Sequence, residues 1–239
     1  MPVRLLFVLL LLPHLAFASP NAERLQAIRS QAFSTCSSLL VHYNPNQNDS
    51  DPRHAERYRQ TLQQLQRLVT LEKDPLLIQY ANDMREHIEK LEHQSANTPE
   101  LYPTWINPLL EAQSRLDQQA SVRYASATPI EPRRKTLHQL ALDIERLQLL
   151  YQTRTFGSLA VYVMPMDDTT FAQLDQQILQ NFSALKQDWP EHAAELNKLL
   201  RKYDFIRPRL LKHELVWVPG SAAYYLGQVT DGLARINAE

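Results

Sequence analysis

The stretch from residue 74 to residue 91, DPLLIQYANDMREHIEKL, decides the fold class. Its opening Asp-Pro pair is a typical helix start, because the carboxylate can cap free backbone N–H groups and proline suits the first turn. Apolar residues then recur at steps of four, three, four and three, which places them on one side of an α-helix: Leu77, Ala81, Met84, Ile88 and Leu91. We therefore predict an amphipathic helix here.

The same periodicity extends in both directions along the chain. It predicts helices at about residues 22–43 and 53–71 before this one, and another after it that ends near residue 125. Beyond Pro129 and Pro132 the pattern restarts. There it predicts helices over about residues 132–164, from Asp168, from Pro190 with an interruption or a kink at Pro208, and from an N-cap at Ser221.

Short connections between amphipathic helices favour an up-down bundle. We therefore expect an all-α protein made of two tandem up-down four-helix bundles, eight helices in total, over residues 19–127 and 128–239. The predicted core stripes of the two longest helices, which we expect to pack on each other, are Leu25, Ile28, Ala32, Cys36, Leu39 and Tyr43, and Leu137, Leu140, Ile144, Leu147 and Tyr151.

Short strings repeat between the two halves. Glu23-Arg24-Leu25-Gln26 recurs as Glu145-Arg146-Leu147-Gln148, and Ser38-Leu39-Leu40-Val41 recurs as Ser158-Leu159-Ala160-Val161. These strings indicate an internal duplication, although two halves that share only a helical apolar pattern remain an alternative. Ser37 and Gly157 are 120 positions apart, as are Ser38 and Ser158. Small residues at both positions predict close helix packing there.

Only four glycines occur in 239 residues, which excludes several kinds of chemistry. The chain has no dinucleotide-binding fingerprint, no complete phosphate-binding loop and no nucleophile elbow, since all three need closely spaced glycines. The formal net charge of −1 argues against a nucleic-acid partner. We predict no catalytic residues and no cofactor.

Residues 1–18 have the features of a signal peptide: Arg4, an apolar run, and Ala-Phe-Ala at residues 16–18. We expect cleavage after Ala18 and a periplasmic or secreted protein, with a bacterial periplasm favoured and no membrane span in the mature chain. Cys36 is the single cysteine, so no internal disulfide is expected, and its place on a core stripe indicates a buried apolar role.

No metal site is predicted. His87 and His93 lie six positions apart and so face different sides of their helix, whereas a zinc-binding helix presents histidines four apart. Arg24 and Arg146, in the repeated string, are candidates for binding an anion, because the guanidinium fork matches oxyanions. Ordinary surface arginines are the alternative.

The first helix also carries a family resemblance. Residues 26–31, QAIRSQ, resemble the Arg-Gln-Arg-Met-Leu-Ser-Gln-Arg stretch of the periplasmic helical sensor domains of type IV pilus chemoreceptors and nitrate-sensing kinases. Gln26, Ile28, Ser30 and Gln31 fall on the family's Gln, Met, Ser and Gln, while its arginines are replaced. In the second half Gln148 and Gln152 correspond, the latter with a one-residue gap.

The resemblance implies a freestanding tandem of sensor-like modules in which Gln26, Gln31, Gln148 and Gln152 join the two arginines as ligand-binding candidates. We therefore expect an exported, non-enzymatic helical protein that binds a small ligand or an envelope partner, with homodimer formation left open. Two alternatives are an enzyme whose site lies between the bundles, drawing on Arg146, Tyr151 and His138, and a structural envelope component.

Overall fold

The structure is a computed structural model that describes residues 20–46, 51–95, 97–127, 130–156, 168–212 and 216–239. Over these ranges the chain forms eight α-helices and no strand, which confirms the all-α prediction. The helices are α1 (Pro20–His42), α2 (Pro52–Glu72), α3 (Pro75–Glu92), α4 (Pro103–Ala125), α5 (Pro132–Arg154), α6 (Asp168–Asp188), α7 (Ala193–Leu211) and α8 (Pro219–Ala238). The predicted signal peptide and the Ser158 string lie outside the described residues.

Most helix starts follow the local chemistry read from the sequence. Asp74 caps α3, because its carboxylate accepts hydrogen bonds from the backbone N–H groups of Leu76 at 2.9 Å and Leu77 at 3.1 Å. Asp51 caps α2 by accepting from the backbone N–H of Arg53 at 2.9 Å. Six of the eight described helices begin with proline, which has no N–H to leave unsatisfied at this position.

The predicted stripes form the core. Every stripe residue named above for α3 and α5 is buried, as are those of α1 apart from the partly buried Tyr43. One cluster of buried apolar side chains lies among α1–α4, and a second lies among α5–α8. Three residues from the second half of the chain pack into the first cluster: Leu142, Leu149 and Phe156. The α5 region therefore contributes to both cores.

The helices pack in a simple order. Within the first four, α1 contacts α2 and α4, and α3 contacts the same two helices from the other side. Within the last four, α5 contacts α6 and α8, and α7 contacts those two. The two sets meet where α1 packs against α5, with α8 also touching α1. We call the α1–α5 contact the seam.

Three predicted boundaries were wrong. The helix α5 ends at Arg154 rather than near residue 164, because Thr155 forms a turn in which its backbone N–H and its hydroxyl both donate to the Gln152 carbonyl. Ser221 is not an N-cap, since the Val218 carbonyl already accepts from the Ala222 N–H at 2.8 Å and α8 begins at Pro219. The third is at the start of α7.

Pro190 begins a short 3-10 helix, Pro190–His192, and α7 proper starts at Ala193. Pro208 does not interrupt α7, which continues through it to Leu211, and α4 likewise continues through Pro108. A proline near a helix end removes only one backbone hydrogen bond, which the core contacts of Ile206 and Leu210 can offset. In the part of the chain that is described, no helix has both the length and the apolar character to cross a bilayer.

Candidate functional site

The seam holds two helices that are buried on nearly all sides. Because α1 and α5 have neighbours in both sets, they bury polar positions as well as their apolar stripes. The buried polar side chains on these helices are Gln26, Arg29, Thr35, Ser37 and Ser38 on α1, and His138, Asp143, Glu145, Gln148, Gln152 and Thr153 on α5. Buried polar groups normally need partners, so their hydrogen bonds show which of them are structural.

At one end of the seam the polar groups satisfy one another. The ring of His138 lies 2.9 Å from the Tyr124 hydroxyl through Nδ1 and 3.2 Å from Glu23 Oε2 through Nε2. The Asn237 amide donates to Glu23 at 2.6 Å. Burial opposes ionisation of Glu23, but the hydrogen bonds from His138 and Asn237 outweigh it and lower the pKa of this carboxyl. This end of the seam therefore links α1, α4, α5 and α8.

The other end is also satisfied. The Asn44 amide donates to the Thr155 hydroxyl at 2.5 Å, and the Asn46 amide donates to the Thr155 carbonyl at 2.9 Å. These two bonds join the end of α1 to the end of α5. Both ends of the seam are thus held by hydrogen bonds between helices, although Glu23 Oε1, 3.9 Å from Arg134, and Gln26 Oε1 accept no hydrogen bond from the described residues.

Glu145, in the middle of the seam, differs from Glu23 in having neither a hydrogen bond nor an ion pair at one of its carboxyl oxygens among the described residues. One carboxyl oxygen, Oε1, accepts a hydrogen bond from the Ser30 hydroxyl, while Oε2 is buried and has no hydrogen-bond partner among the described residues. The residue is only 6% exposed. Burial, the main cause, raises the pKa of Glu145 to about 7, and Asp117 raises it further while Ser30, Arg57 and Arg29 oppose the change.

Glu145 faces a groove of about 810 Å³ between α1, the start of α2, α5 and α8. The α1 wall presents three serines, and the α8 wall presents Gly220, Ser221, Ala223 and Gly227. Gln148 lies beside Glu145 on the α5 wall, and Ser37 on the α1 wall has a buried hydroxyl without a partner. Tyr224 and Tyr225 line the groove on α8 as well. The groove is therefore open, has small side chains on its α1 and α8 walls, and presents both polar and apolar surface.

Gly227 shows how the groove stays open. A Cβ atom added at Gly227 would have no heavy atom within 4 Å, whereas one added at Gly232, further along α8, would lie 2.4 Å from Cδ2 of Leu199. The same helix thus packs tightly against α7 through one glycine and leaves space at the other. Protein interiors are normally filled, so the space beside Gly227 is a distinct feature of this face.

The charged groups of the groove, apart from Glu145, are already paired. Arg57 on α2 binds Asp231 on α8 with a distance of 3.0 Å between Nη2 and Oδ1, and Arg53 binds Asp51 at 2.6 Å. Burial lowers the pKa of His54, so this ring is mainly neutral at pH 7. Glu145 is consequently the one carboxyl group described in the groove without an ion-pair partner.

A smaller cavity of about 190 Å³ lies on the other side of Glu145. It is lined by Gln26, Ser30, Gln31 and His138 among others. Glu145 and Thr230 line both spaces.

The two predicted arginines do not meet. Arg24 binds Glu72 with a distance of 2.9 Å between Nε and Oε2, at the end of α2. Arg146 lines a different cavity, of about 590 Å³, where it lies 3.4 Å from Asp117 and 3.7 Å from Asp143. An anion would have to compete with these carboxylates at either arginine. Anion binding there stays a prediction.

The four predicted glutamines are spread along the seam. Gln26 donates to the His138 carbonyl at 3.1 Å, and Gln152 donates to the Pro219 carbonyl at 3.0 Å, so both amides hold helices together. Gln31 lines the smaller cavity, and Gln148 lines the groove.

The close packing predicted for Ser37 and Gly157 stays a prediction as well, because Gly157 lies outside the described residues. Ser37 is buried and lines the groove.

Sequence reasoning selected Arg146 from the repeated string and missed its neighbour Glu145. A signal for Glu145 was available in the apolar residues of α5 that lie off the predicted stripe, Leu142 and Leu149, since a second apolar side means that the residues between the two are buried too. The hydrogen-bonded cluster of Glu23, Tyr124, His138 and Asn237 could not be predicted from the pattern of any one helix, because its residues lie on four different helices.

The three residues considered for an enzyme site are not brought together in the groove. The enzyme candidates are separately engaged: the Tyr151 hydroxyl accepts from the Val218 N–H at 2.9 Å, His138 belongs to the Glu23 cluster, and Arg146 lies in another cavity. Among the described residues, no group of three His, Cys, Asp or Glu side chains could hold a metal ion. Cys36 is buried, and burial raises the pKa of its thiol far above the usual range.

Searches against protein-family models, curated proteins and solved structures returned no match to this chain.

Proposed function

We propose that this protein is an exported, non-enzymatic helical protein that binds a small polar ligand in the groove between α1, α2, α5 and α8. The observation that carries the proposal is the buried polar lining of an open groove: the unpartnered Glu145 Oε2 and Ser37 hydroxyl beside about 810 Å³ of space. Buried polar atoms without partners reduce stability. A fold under selection for stability alone would fill the groove or make these positions apolar.

As part of the same proposal, the chain consists of two tandem up-down four-helix bundles that arose by duplication, over residues 19–127 and 128–239. The helices contact one another in two closed rings, α1–α2–α3–α4–α1 and α5–α6–α7–α8–α5, and this arrangement supports two bundles. The repeated strings support duplication, because Glu23 and Glu145, which begin them, both lie at the seam and bond across it to the other half.

The proposed sensor-like role rests on the resemblance of residues 26–31. Three of the matched residues lie at the seam: Gln26 bonds across it, Ser30 bonds to Glu145, and Gln31 lines the smaller cavity. The stretch that resembles the sensor domains therefore borders the carboxyl group that faces the groove. Export is proposed from the charged, apolar and small-residue segments of residues 1–18.

Filling the groove tests the proposal. Purified protein is screened by thermal shift against amino acids, amines, sugars and small anions, and binders are measured by calorimetry. Gly227→Leu should place a side chain in the groove and reduce the affinity of a binder at least tenfold, because its Cβ points into open space. Gly227→Ala is the matched control: it gives the same gain in helix propensity with little loss of volume.

The proposal fails if no compound raises the melting temperature, or if Gly227→Leu binds every compound as tightly as Gly227→Ala does. The second result would place the ligand elsewhere on the molecule.

A protein partner is the second candidate. Phe205 on α7 is 65% exposed and Tyr224 on α8 is 53% exposed, and both pack on Tyr225, with ring centroids 4.7 and 5.3 Å from it. Exposed aromatic groups of this kind are enriched at interfaces. If the partner is a second copy, sedimentation should show a concentration-dependent dimer that Phe205→Ser weakens.

A further inference from the structure

The nature of the ligand follows from the group that the groove leaves unsatisfied. Glu145 lines the groove, and its Oε2 is buried and accepts no hydrogen bond from any described residue. An ionised carboxylate can accept several hydrogen bonds and is a poor buried group without them. A ligand that donates hydrogen bonds at this atom would therefore supply what the chain does not.

The charged groups around Glu145 restrict the class of ligand further. Arg146, the next residue on α5, lies 3.4 Å from Asp117 and 3.7 Å from Asp143, and Arg29 on α1 binds Asp117 on α4 at 2.6 Å. Arg57 on α2 also acts on Glu145 from a distance, but its guanidinium is held by Asp231. Arg53 is held by Asp51, and burial favours the neutral form of His54. When Glu145 is ionised, the groove thus carries an uncompensated negative charge at its base.

We propose that the groove binds a small organic amine, whose protonated amino group donates to Glu145 Oε2 and replaces the missing cationic partner. This inference rests on the proposed function and names the ligand class of that site. A charge-assisted hydrogen bond to a buried carboxylate is stronger than one between neutral groups, which gives the amine an advantage over an alcohol of the same size. Anionic ligands are disfavoured by repulsion from the same carboxylate.

The rest of the groove suits such a molecule. The Ser37 hydroxyl and the Gln148 amide lie on the walls beside Glu145 and can bond to polar atoms of the ligand. Tyr224 and Tyr225 line the α8 side and offer ring faces that attract cations. The volume of about 810 Å³ is within the range of small-molecule sites.

Binding of an amine should be coupled to proton release from Glu145. The folded, empty protein takes up a proton here at about pH 7, so a protonated amine below this pH must displace it. The charged groups that face Glu145 and could also respond are Asp117 on α4, Arg29 on α1 and Arg57 on α2. Each of the three is held in an ion pair, Arg29 with Asp117 and Arg57 with Asp231, so Glu145 is the group to which we assign the released proton.

Calorimetry with a matched panel tests the proposal. The probes are n-butylamine, 1,4-diaminobutane and spermidine, with n-butanol and butyrate as neutral and anionic matches. We expect an amine to bind at pH 8 at least tenfold more tightly than butanol and butyrate. Its affinity should fall about 100-fold between pH 8 and pH 5, as expected for displacement of one proton from a group of pKa about 7.

Glu145→Gln keeps the size of the side chain and its bond to Ser30 but removes the negative charge. It should reduce amine affinity at pH 8 at least tenfold and remove the pH dependence. The exposed variant Glu111→Gln, on α4 and outside the groove, is the control and should bind as the unaltered protein does.

The outcomes separate the two proposals. If butanol or butyrate binds as tightly as the best amine, or Glu145→Gln retains amine affinity, the amine assignment is wrong. The groove proposal then stands as long as Gly227→Leu still prevents the observed binding. If no member of the panel or of the wider screen binds, both proposals fail.

Discussion

At Glu145 the fold keeps a carboxyl group in a place where water solvates it poorly. Below about pH 4.5 this side chain is protonated in both the folded and the unfolded chain, so it does not influence stability there. Between pH 4.5 and 7 the unfolded chain loses the proton first, and the free energy of unfolding falls as the pH rises. A pKa raised from 4.5 to about 7 corresponds to a loss of about 3 kcal/mol.

We therefore predict that Glu145→Gln stabilises the protein by about 2–3 kcal/mol at pH 8 and changes it little at pH 4. Urea unfolding at several pH values measures the difference. Glu111→Gln, which removes an exposed partner of Arg115, should change stability by less than about 0.5 kcal/mol throughout. A Glu145→Gln protein that is less stable at pH 8 would show that the carboxylate is satisfied by a group outside the described contacts.

Single residues were the level at which the sequence was least informative about the site. A helical period shows which residues share a face, but it does not show how many helices cover that face. Arg24 and Arg146 look alike in the repeated string, yet their partners, Glu72 and Asp117, lie on different helices. Glu145 became distinctive only when its unpartnered oxygen and the groove were known.

Among the helices, α8 combines tight and loose packing within six residues. Gly232 lies against Leu199, so a methyl group there would force this side chain to move, while Gly227 faces open space. Alanine favours a helix over glycine by about 1 kcal/mol at both positions. At Gly232 the cost of overpacking, typically about 1–3 kcal/mol, should exceed this gain.

The two alanine variants should consequently shift stability in opposite directions. We predict that Gly227→Ala raises the free energy of unfolding by about 0.5–1 kcal/mol and that Gly232→Ala lowers it by about 1 kcal/mol. Chemical denaturation of both variants and the unaltered protein measures this. Equal gains at both positions would mean that Leu199 adjusts without cost.

Helix positions were largely predictable, because capping and proline chemistry are local. Asp74-Pro75 and Asp51-Pro52 mark the observed starts of α3 and α2. Ser221 was misplaced because Pro219-Gly220 also reads as a turn, whereas here it forms the first turn of α8. The end of α5 depends on Thr155, whose hydroxyl is held by Asn44 from the other half of the chain, and no local pattern contains that contact.

For the molecule as a whole, the seam makes each half depend on the other. Both central helices bury polar and apolar residues on their shared faces, and Leu142 and Leu149 of α5 belong to the core of α1–α4. Separation of the halves would expose these leucines. We therefore predict that the described helices unfold in one cooperative transition.

The three tryptophans allow a direct test. Trp105→Phe leaves reporters only in the second half, and Trp189→Phe with Trp217→Phe leaves Trp105 alone in the first. In each variant, the urea midpoint measured by tryptophan fluorescence should agree within error with the midpoint measured by circular dichroism, whichever half carries the reporter. Midpoints that differ consistently between the two reporters would show two independently stable units.

The all-α class and the stripes followed from periodicity, because burial of one helix face leaves a repeating trace in the sequence. The repeat also suggested that α1 and α5 pack together, which the structure shows. The groove could not be foreseen, since it depends on the absence of contacts between side chains from four helices.

The seam also joins two helices that the ribosome synthesises at different times. Glu23 and His138, which meet across it, are 115 positions apart, so at about 5–20 residues per second α1 is made some 6–23 s before its partner. During that interval the face that will meet α5 is exposed to water. Gln26 and Ser30 on this face are polar, and they give the unfinished chain a hydrated surface that does not promote aggregation.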